Sequence, residues 1–173
     1  MKDEPLKTYY ASAERAGSDI LIKQRDQLIS NELLVNISNS VSQMLLVLNR
    51  HRQIVYANKP FCDFLGISDP QSIIGKRPGE AVKCKYSYEC QAGCGTSEFC
   101  KTCGAVNAIL ESESGIQSEK ECHILTKENT ALDLKVLATP FETENETLTI
   151  FAVNDISHEK RKNILEKVFY HDV

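Results

Sequence analysis

Glycine and proline are scarce in this chain, with 8 and 5 among 173 residues, and no low-complexity tract occurs. This scarcity excludes a fibrous or disordered composition, and a charged fraction of 25% is normal for a globular protein. No apolar run is long enough to cross a bilayer, and residues 1–5 do not read as the start of a signal peptide. We therefore expect a cytoplasmic protein with no membrane span.

An excess of positive charge is also missing. The chain has 20 Lys and Arg against 24 Asp and Glu, which gives a net charge of −4. Because no segment concentrates Lys and Arg, a nucleic-acid partner is not expected. No internal repeat is present, and the length suits one domain with short flanking helices.

Cysteine, in contrast, is abundant. Five of the seven cysteines fall in one short segment: Cys84, Cys90, Cys94, Cys100 and Cys103. In a reducing compartment, thiols this dense more often hold a metal or do redox chemistry than form disulfides. The function is therefore expected in this segment.

The hydrophobic pattern predicts two strands, a helical middle and three further strands. The strands are expected at residues 44–49, 53–57, 116–126, 131–140 and 147–155. An amphipathic entry helix is expected over residues 18–34, another helix over 102–114, and a terminal helix from about Ser157.

This order resembles that of PAS sensory domains, and the local motifs agree. Ile54–Phe61 resembles the second PAS strand running into its first helix, and Asn154–Ser157 resembles the Asp-Ile-Thr signal at the exit from the last strand. The resemblance implies an α+β PAS fold, in which helices pack on one face of a five-stranded antiparallel sheet, flanked by N-terminal and C-terminal helices. It implies an N-terminal helical segment at 1–40, a PAS domain at 41–156 with a cysteine-rich insertion at 78–104, and an exit helix at 157–173.

The tail resembles the first helix of the dimerisation and phosphoacceptor domain of sensor histidine kinases. In Phe169-Tyr170-His171-Asp172, the resemblance makes His171 the phosphoacceptor, with Asp172 as its acidic neighbour. The alternative is an ordinary surface histidine. No glycine-rich phosphate loop is present, so this chain alone binds no nucleotide and should be inactive as an enzyme. The parent would be a protein histidine kinase whose ATP-binding domain and response regulator are separate partners.

Within the cysteine segment, Cys100-x2-Cys103 has the spacing of a chelating pair of thiolates. The block from Arg77 to Ile109 resembles one in a bacterial subset of kinase-linked PAS domains. That resemblance implies four ligands: Cys84, Cys94, Cys100 and Cys103. Cys90 is kept as a possible ligand or resolving thiol. Tyr86 and Tyr88 are expected to shield the site, and Cys62 and Cys122 are interpreted as small buried hydrophobes.

Three interpretations of the cluster stay open: an iron–sulfur cluster, a Zn²⁺ site, and a metal-free thiol switch. The first gives a sensor of redox state, oxygen or metal that relays its signal to the C-terminal helix. A structural zinc site would instead leave a PAS dimerisation module, and a third alternative is a thiol–disulfide redox protein using Cys100 and Cys103. A homodimer is expected because the flanking helices carry apolar stripes that need a partner.

Overall fold

A computed structural model describes residues 6–171 of the chain, with the backbone alone for His171. The fold is α+β. The helices are α1 (Ser18–Ile29), α2 (Glu32–Ser40), α3 (Lys59–Leu65), α4 (Pro78–Ala81), α5 (Gly104–Glu113) and α6 (Ser157–His171), with 3₁₀ turns at Pro70–Ile73, Lys85–Tyr88 and Glu98–Thr102. The strands are β1 (Met44–Leu48), β2 (Ile54–Ala57), β3 (Ser118–Leu125), β4 (Ala131–Glu142) and β5 (Thr147–Asp155).

The strands form one antiparallel sheet in the order β2-β1-β5-β4-β3, so the five predicted strands are confirmed. The entry helix was predicted too long. It ends at Ile29, and α2 starts separately because the Asn31 side chain accepts a hydrogen bond from the Leu34 N–H at 3.1 Å. Such a cap satisfies a free N–H at the start of a helix and favours a new helix there.

Helices cover both faces of the sheet. On one face, α3 and α5 pack on a core that includes Leu46 and Phe151. On the other face, α1 and α2 cover a smaller apolar cluster around Val47 and Val55. Neighbouring β1 residues serve opposite faces because successive strand side chains point to opposite sides of a sheet. The predicted packing on one face is therefore correct for the helices between β2 and β3. The N-terminal helices α1 and α2 pack on the opposite face.

The cysteine segment runs from α4 to α5, largely as short 3₁₀ turns. Residues 8–16, here called the N-terminal strap, run along it. The strap donates hydrogen bonds from the Tyr9 N–H to the Thr96 carbonyl at 2.8 Å and from the Ala11 N–H to the Gly95 carbonyl at 3.0 Å. In the part of the chain that is described, no helix is both long and apolar enough to cross a membrane.

Candidate metal centre

A cavity of about 280 Å³ lies between the sheet and the cysteine segment. Five thiols line it: Cys84, Cys94, Cys100, Cys103 and Cys122. The rest of the lining is mostly apolar and includes Leu46, Phe61 and Val136. The four cysteines predicted as ligands therefore share one cavity. Cys90 and Cys62 are not among its lining residues.

Gly79 in α4 brings two of these thiols together. A β-carbon added there would lie 2.6 Å from Cys94 Sγ and 3.5 Å from Cys84 Cβ, so both side chains use the space that glycine leaves free. The Cys84 N–H donates to the Gly79 carbonyl at 2.7 Å. The Gly79 N–H in turn faces the Cys94 sulfur.

The other two thiols are held at the start of α5. Cys100 lies in the turn Glu98–Thr102, which Ser97 caps by accepting from the Phe99 N–H, and Cys103 is the residue just before α5. The N–H groups of Val106 and Ala105 face the Cys103 sulfur. A helix N-terminus presents free N–H groups and a partial positive charge, and both favour a thiolate.

Burial governs the acidity of the thiols. It raises the pKa of Cys94, and the neighbouring Cys103 and Cys100 add to this rise, while the Gly79 N–H acts against it. Burial likewise raises the pKa of Cys84 and Cys103, and it raises the pKa of Cys122 to about 12. In the absence of a cation these thiols stay protonated at neutral pH. A bound metal would favour the thiolate form because metal binding displaces the thiol proton.

The donor set suits a metal, although the sulfurs are spread around a sizeable space. Among the described residues, no three His, Cys, Asp or Glu side chains stand close enough to share a single ion. The cavity volume corresponds to several water molecules, each of which occupies about 30 Å³ in the liquid. Soft thiolates, apolar walls and N–H groups facing sulfur are what iron–sulfur and zinc–thiolate sites require.

An aromatic pair forms the outer wall of the cavity. The rings of Tyr86 and Phe99 stack with their centroids 4.4 Å apart, and both residues line the cavity. Tyr88 lies outside the lining, is 52% exposed, and has the Lys127 ammonium 3.9 Å from its ring centre. The prediction that Tyr86 shields the site is thus supported, and the same prediction for Tyr88 is wrong.

Two buried arginines at this cavity were missed at the level of sequence. Arg52 and Arg77 both line it, and their exposed fractions are 3% and 0%. Arg77 donates to the backbone carbonyls of His51, Ala92, Cys94, Ser12 and Glu14. No local pattern distinguishes such residues from surface arginines, because their burial depends on chain segments far apart in sequence. Cys122, which was interpreted as a buried hydrophobe, also contributes a thiol to the lining.

The residues proposed for phosphoryl transfer lie at the far end of the chain. His171 is the last residue of α6, and Asp172 lies outside the described residues. The structure therefore gives their position along the chain and no side-chain geometry. Their role stays a prediction.

The sheet order β2-β1-β5-β4-β3 and the short helices between β2 and β3 agree with the PAS fold that the sequence resemblance implied. The family model of the PAS domain matches residues 42–158, and the chain belongs to the PAS domain family. Among curated proteins, none matches this sequence.

Solved PAS structures share the fold at low sequence identity. The PAS domain of nitrogen regulation protein NR(II) from Vibrio parahaemolyticus is 14% identical with a TM-score of 0.51, over 72% of this chain and 98% of that one. A PAS domain from a two-component sensor histidine kinase is 8% identical with a TM-score of 0.50, over 75% and 98% of the two chains. A Rhodobacter sphaeroides LOV protein is 11% identical with a TM-score of 0.52, over 72% and 66%. At these identities, the likeness concerns the fold alone.

Proposed function

We propose that this PAS domain is the signal-input domain of a two-component histidine kinase and senses redox state, oxygen or metal through a cysteine-ligated centre. Cys84, Cys94, Cys100 and Cys103 are its ligands. The observation that carries this proposal is that the four thiols line one buried cavity, although they come from four different points of the segment. Cys90 lies outside the lining and is left as a resolving thiol.

The placement of the thiols favours an iron–sulfur cluster over zinc, because among residues 6–171 no three donor side chains stand close enough to share one ion. One Zn²⁺ ion draws its sulfurs to about 2.3 Å from a single point. In an iron–sulfur cluster the cysteines ligate different irons, so their sulfurs need not converge on a single point. When bound, such a cluster would supply one-electron redox chemistry and sensitivity to oxygen. The protein contributes soft ligands, N–H groups and apolar shielding.

Strand β3 offers a route from the centre to α6. Cys122 lines the cavity, and its neighbour Glu121 pairs with Lys160 of α6 at 2.6 Å. The Ile156 N–H donates to the Asp133 carbonyl of β4 at 2.8 Å, just before α6 begins. A change at the centre would thus reach the exit helix through β3 and β4. Spin labels on α6 of the two protomers should report different distances in metal-loaded, metal-free and oxidised protein; equal distances would exclude this relay.

The remaining assignments follow from the resemblance to sensor kinases. We assign α6 as the exit helix and residues 157–173 as the start of the dimerisation and phosphoacceptor domain, with His171 as phosphoacceptor and Asp172 as the next residue in sequence. A kinase ATP-binding domain and a response regulator act with it in a cytoplasmic system. The predicted N-terminal helical segment at 1–40 is helical, among its described residues, only over α1 and α2, since the strap that precedes them is not helical. We assign the cysteine-rich insertion at 78–104 to the PAS domain at 41–156.

The contacts of Cys100 and Cys103 weigh against a thiol–disulfide enzyme. Cys100 is buried, and burial raises the pKa of Cys103. An attacking thiol needs the opposite, namely exposure and a lowered pKa. A purely structural zinc site is the remaining alternative, and the experiment below distinguishes it.

The test is purification without air, followed by metal and sulfide analysis and an absorption spectrum. We expect iron, inorganic sulfide and broad absorption near ~400 nm from thiolate-bound iron. Replacing any one of the four ligands by Ala should abolish or strongly reduce metal content. Cys62→Ala, at a buried position outside the cavity lining, is the matched control and should keep its metal. Zinc without sulfide would indicate the structural alternative, and a wild-type protein without metal would refute the proposal.

A further inference from the structure

Arg77 is a fully buried cation without a carboxylate partner among residues 6–171. Its guanidinium donates only to backbone carbonyls, at 2.9 to 3.2 Å. Carbonyl dipoles solvate a guanidinium, but they leave its charge uncompensated. A buried charge is normally paired or bound to a ligand. The structure therefore contains a buried positive charge whose guanidinium contacts no carboxylate among the described residues; Glu80 and Glu113 act on it only at longer range.

Arg52 adds a second buried positive charge beside Arg77. Its backbone has φ of 62°, in the left-handed region that non-glycine residues rarely adopt. Its Nη2 donates to the Ser12 carbonyl at 2.7 Å, while its buried Nε–H has no acceptor among the described residues. The guanidinium lies against Gly95, where an added β-carbon would be 3.1 Å from Nε. This side chain is held at the cavity with a donor left free.

The nearby carboxylates of Glu80 and Glu113 offset only part of these charges. Glu80 pairs with Arg15, and it also accepts the backbone N–H groups of Arg77 and Cys94. Glu113 forms no ion pair or hydrogen bond with either guanidinium in the described part of the chain, but its charge acts on both of them. The three arginines at this place, Arg15, Arg52 and Arg77, therefore exceed the two carboxylates by one positive charge, and the thiols of Cys94 and Cys100 share the cavity with Arg52 and Arg77.

We propose that Arg52 and Arg77 are the counter-charges of the cysteine centre, and that a negatively charged metal–thiolate group in the cavity fastens the N-terminal strap through them. This inference rests on the proposed function, because it requires the thiols to hold a metal. Four thiolates around one divalent ion carry a net charge of about −2, and a cluster with four cysteine ligands and a core charge of about +2 carries the same. The positive charge that the carboxylates leave uncompensated would offset part of it.

The proposal includes the N-terminal strap because the side chains of Arg52 and Arg77 bind its backbone carbonyls. The Ser12 carbonyl accepts from both Arg52 and Arg77, at 2.7 and 3.2 Å, and the Glu14 carbonyl accepts from Arg77 at 2.9 Å. Without an anion in the cavity, two like charges lie side by side and repel each other. With the anion, both guanidiniums are held in place, and so are the carbonyls that they bind. The state of the centre thereby reaches the residues that lead into α1.

Hydrogen exchange at the strap tests this directly. The amides of Tyr9 and Ala11, which bond to the cysteine segment, should exchange several-fold more slowly in protein reconstituted with iron and sulfide, or loaded with zinc, than in metal-free protein. This comparison uses the wild-type chain alone. Equal exchange in loaded and metal-free protein would overturn the proposal.

Variants at the turn separate charge from structure. In competition with a chelator, R52Q should bind the metal about 10- to 100-fold more weakly than wild type. This is the usual effect of removing a group that supports metal ligands. Metal loading should also slow hydrogen exchange at the Tyr9 and Ala11 amides less in R52Q than in wild type. R50Q makes the same charge change at an exposed position two residues away and should behave as wild type. R52K keeps the charge and should keep most of the affinity.

The outcomes distinguish the two proposals. If wild-type protein holds no metal, the proposed function fails and this inference fails with it. If wild type holds metal while R52Q matches R50Q, only the counter-charge role fails. An R52K protein as weak as R52Q would also overturn it, because the charge is still present. Circular dichroism and thermal unfolding of the metal-free variants show that each is folded before the comparison is made.

Discussion

Arg52 and Arg77 each have an unfavourable local feature at the cavity. One has a left-handed backbone conformation and a buried N–H without an acceptor, and the other is a fully buried cation. Features of this kind cost about 1–3 kcal/mol each and persist where the surrounding structure enforces them. Both occur at the cavity that also collects the thiols. Their coincidence at one place favours a functional site there.

Gly79 permits a direct prediction at this scale. In Gly79→Ala, the new methyl group would lie 2.6 Å from Cys94 Sγ, far inside van der Waals contact. Since the cavity wall must shift to accept it, we expect the free energy of unfolding of the metal-free protein to fall by about 1–3 kcal/mol. Chemical denaturation measures this change.

Gly17→Ala is the matched control. A β-carbon there meets nothing within 4 Å, and the residue has an ordinary φ of −72° at the start of α1. Its effect should stay within a few tenths of a kcal/mol to about 1 kcal/mol, the range for weakening a helix cap. A Gly79→Ala protein as stable as Gly17→Ala would contradict the close packing of Gly79 against the thiols.

At the scale of elements, β3 joins the cavity to the end of the chain. Its alternation places Cys122 inward and turns Glu121 and His123 outward, where they reach groups of β4 and α6. Asp133 of β4 is the common point: its carboxylate lies 2.9 Å from His123 Nδ1 and 3.7 Å from Lys160 Nζ. The junction before α6 is therefore stabilised by the side-chain contacts of Asp133 as well as by backbone hydrogen bonds.

This arrangement predicts a pH dependence of stability. The hydrogen bond from His123, together with the charges of His123 and Lys160, holds the pKa of Asp133 below its usual value of about 3.9. A carboxylate with a lowered folded-state pKa stabilises the fold above its unfolded pKa, and this contribution is lost as the pH falls through the folded-state value. Wild type should therefore exceed D133N in Tm above about pH 5, and the difference should shrink below about pH 4.

The expected difference is less than about 1 kcal/mol, since the ion pairs of Asp133 are largely exposed. Thermal unfolding of both proteins between about pH 3 and pH 6 measures it. D133N retains the backbone bonds of residue 133 with Ile156 and Ser157, so the junction itself should persist. A Tm difference that does not change with pH would assign the effect to packing and not to the charge of Asp133.

The elements could be predicted from sequence where the signal is local. The five strands follow from apolar patterns and turn residues. The start of α3 also has a local signal, because Asn58 caps it within one turn. The break between α1 and α2 was missed because the Asn31 cap competes with a continuous apolar pattern. The shared cavity of the four predicted cysteines followed from a family resemblance. The burial of Arg52 and Arg77 could be predicted neither from local patterns nor from the resemblance, since their hydrogen-bond partners lie on segments remote in sequence.

For the whole molecule, the sheet is covered on both faces while both terminal helices keep apolar side chains in solvent. In α6 these are Ile164, Leu165, Val168 and Phe169, each more than half exposed. In α1 and α2 they include Ile22 and Leu33. Residues three and four positions apart lie on one side of a helix, so the α6 set forms a stripe of the kind that pairs helices in a coiled coil. A second copy of the chain is the partner expected for this stripe under the proposed function.

Leu165→Glu tests this expectation. A carboxylate in the seam would be desolvated on association and would face its own symmetry mate, so the dimer dissociation constant should rise by at least about tenfold. Asn163→Glu adds the same charge two positions away, about 200° around the helix, and should leave association unchanged. Light scattering and sedimentation over a range of concentrations give both constants. Equal constants for the two variants would show that the stripe on α6 is not the dimer seam, and the paired-helix relay to His171 would then need another interface.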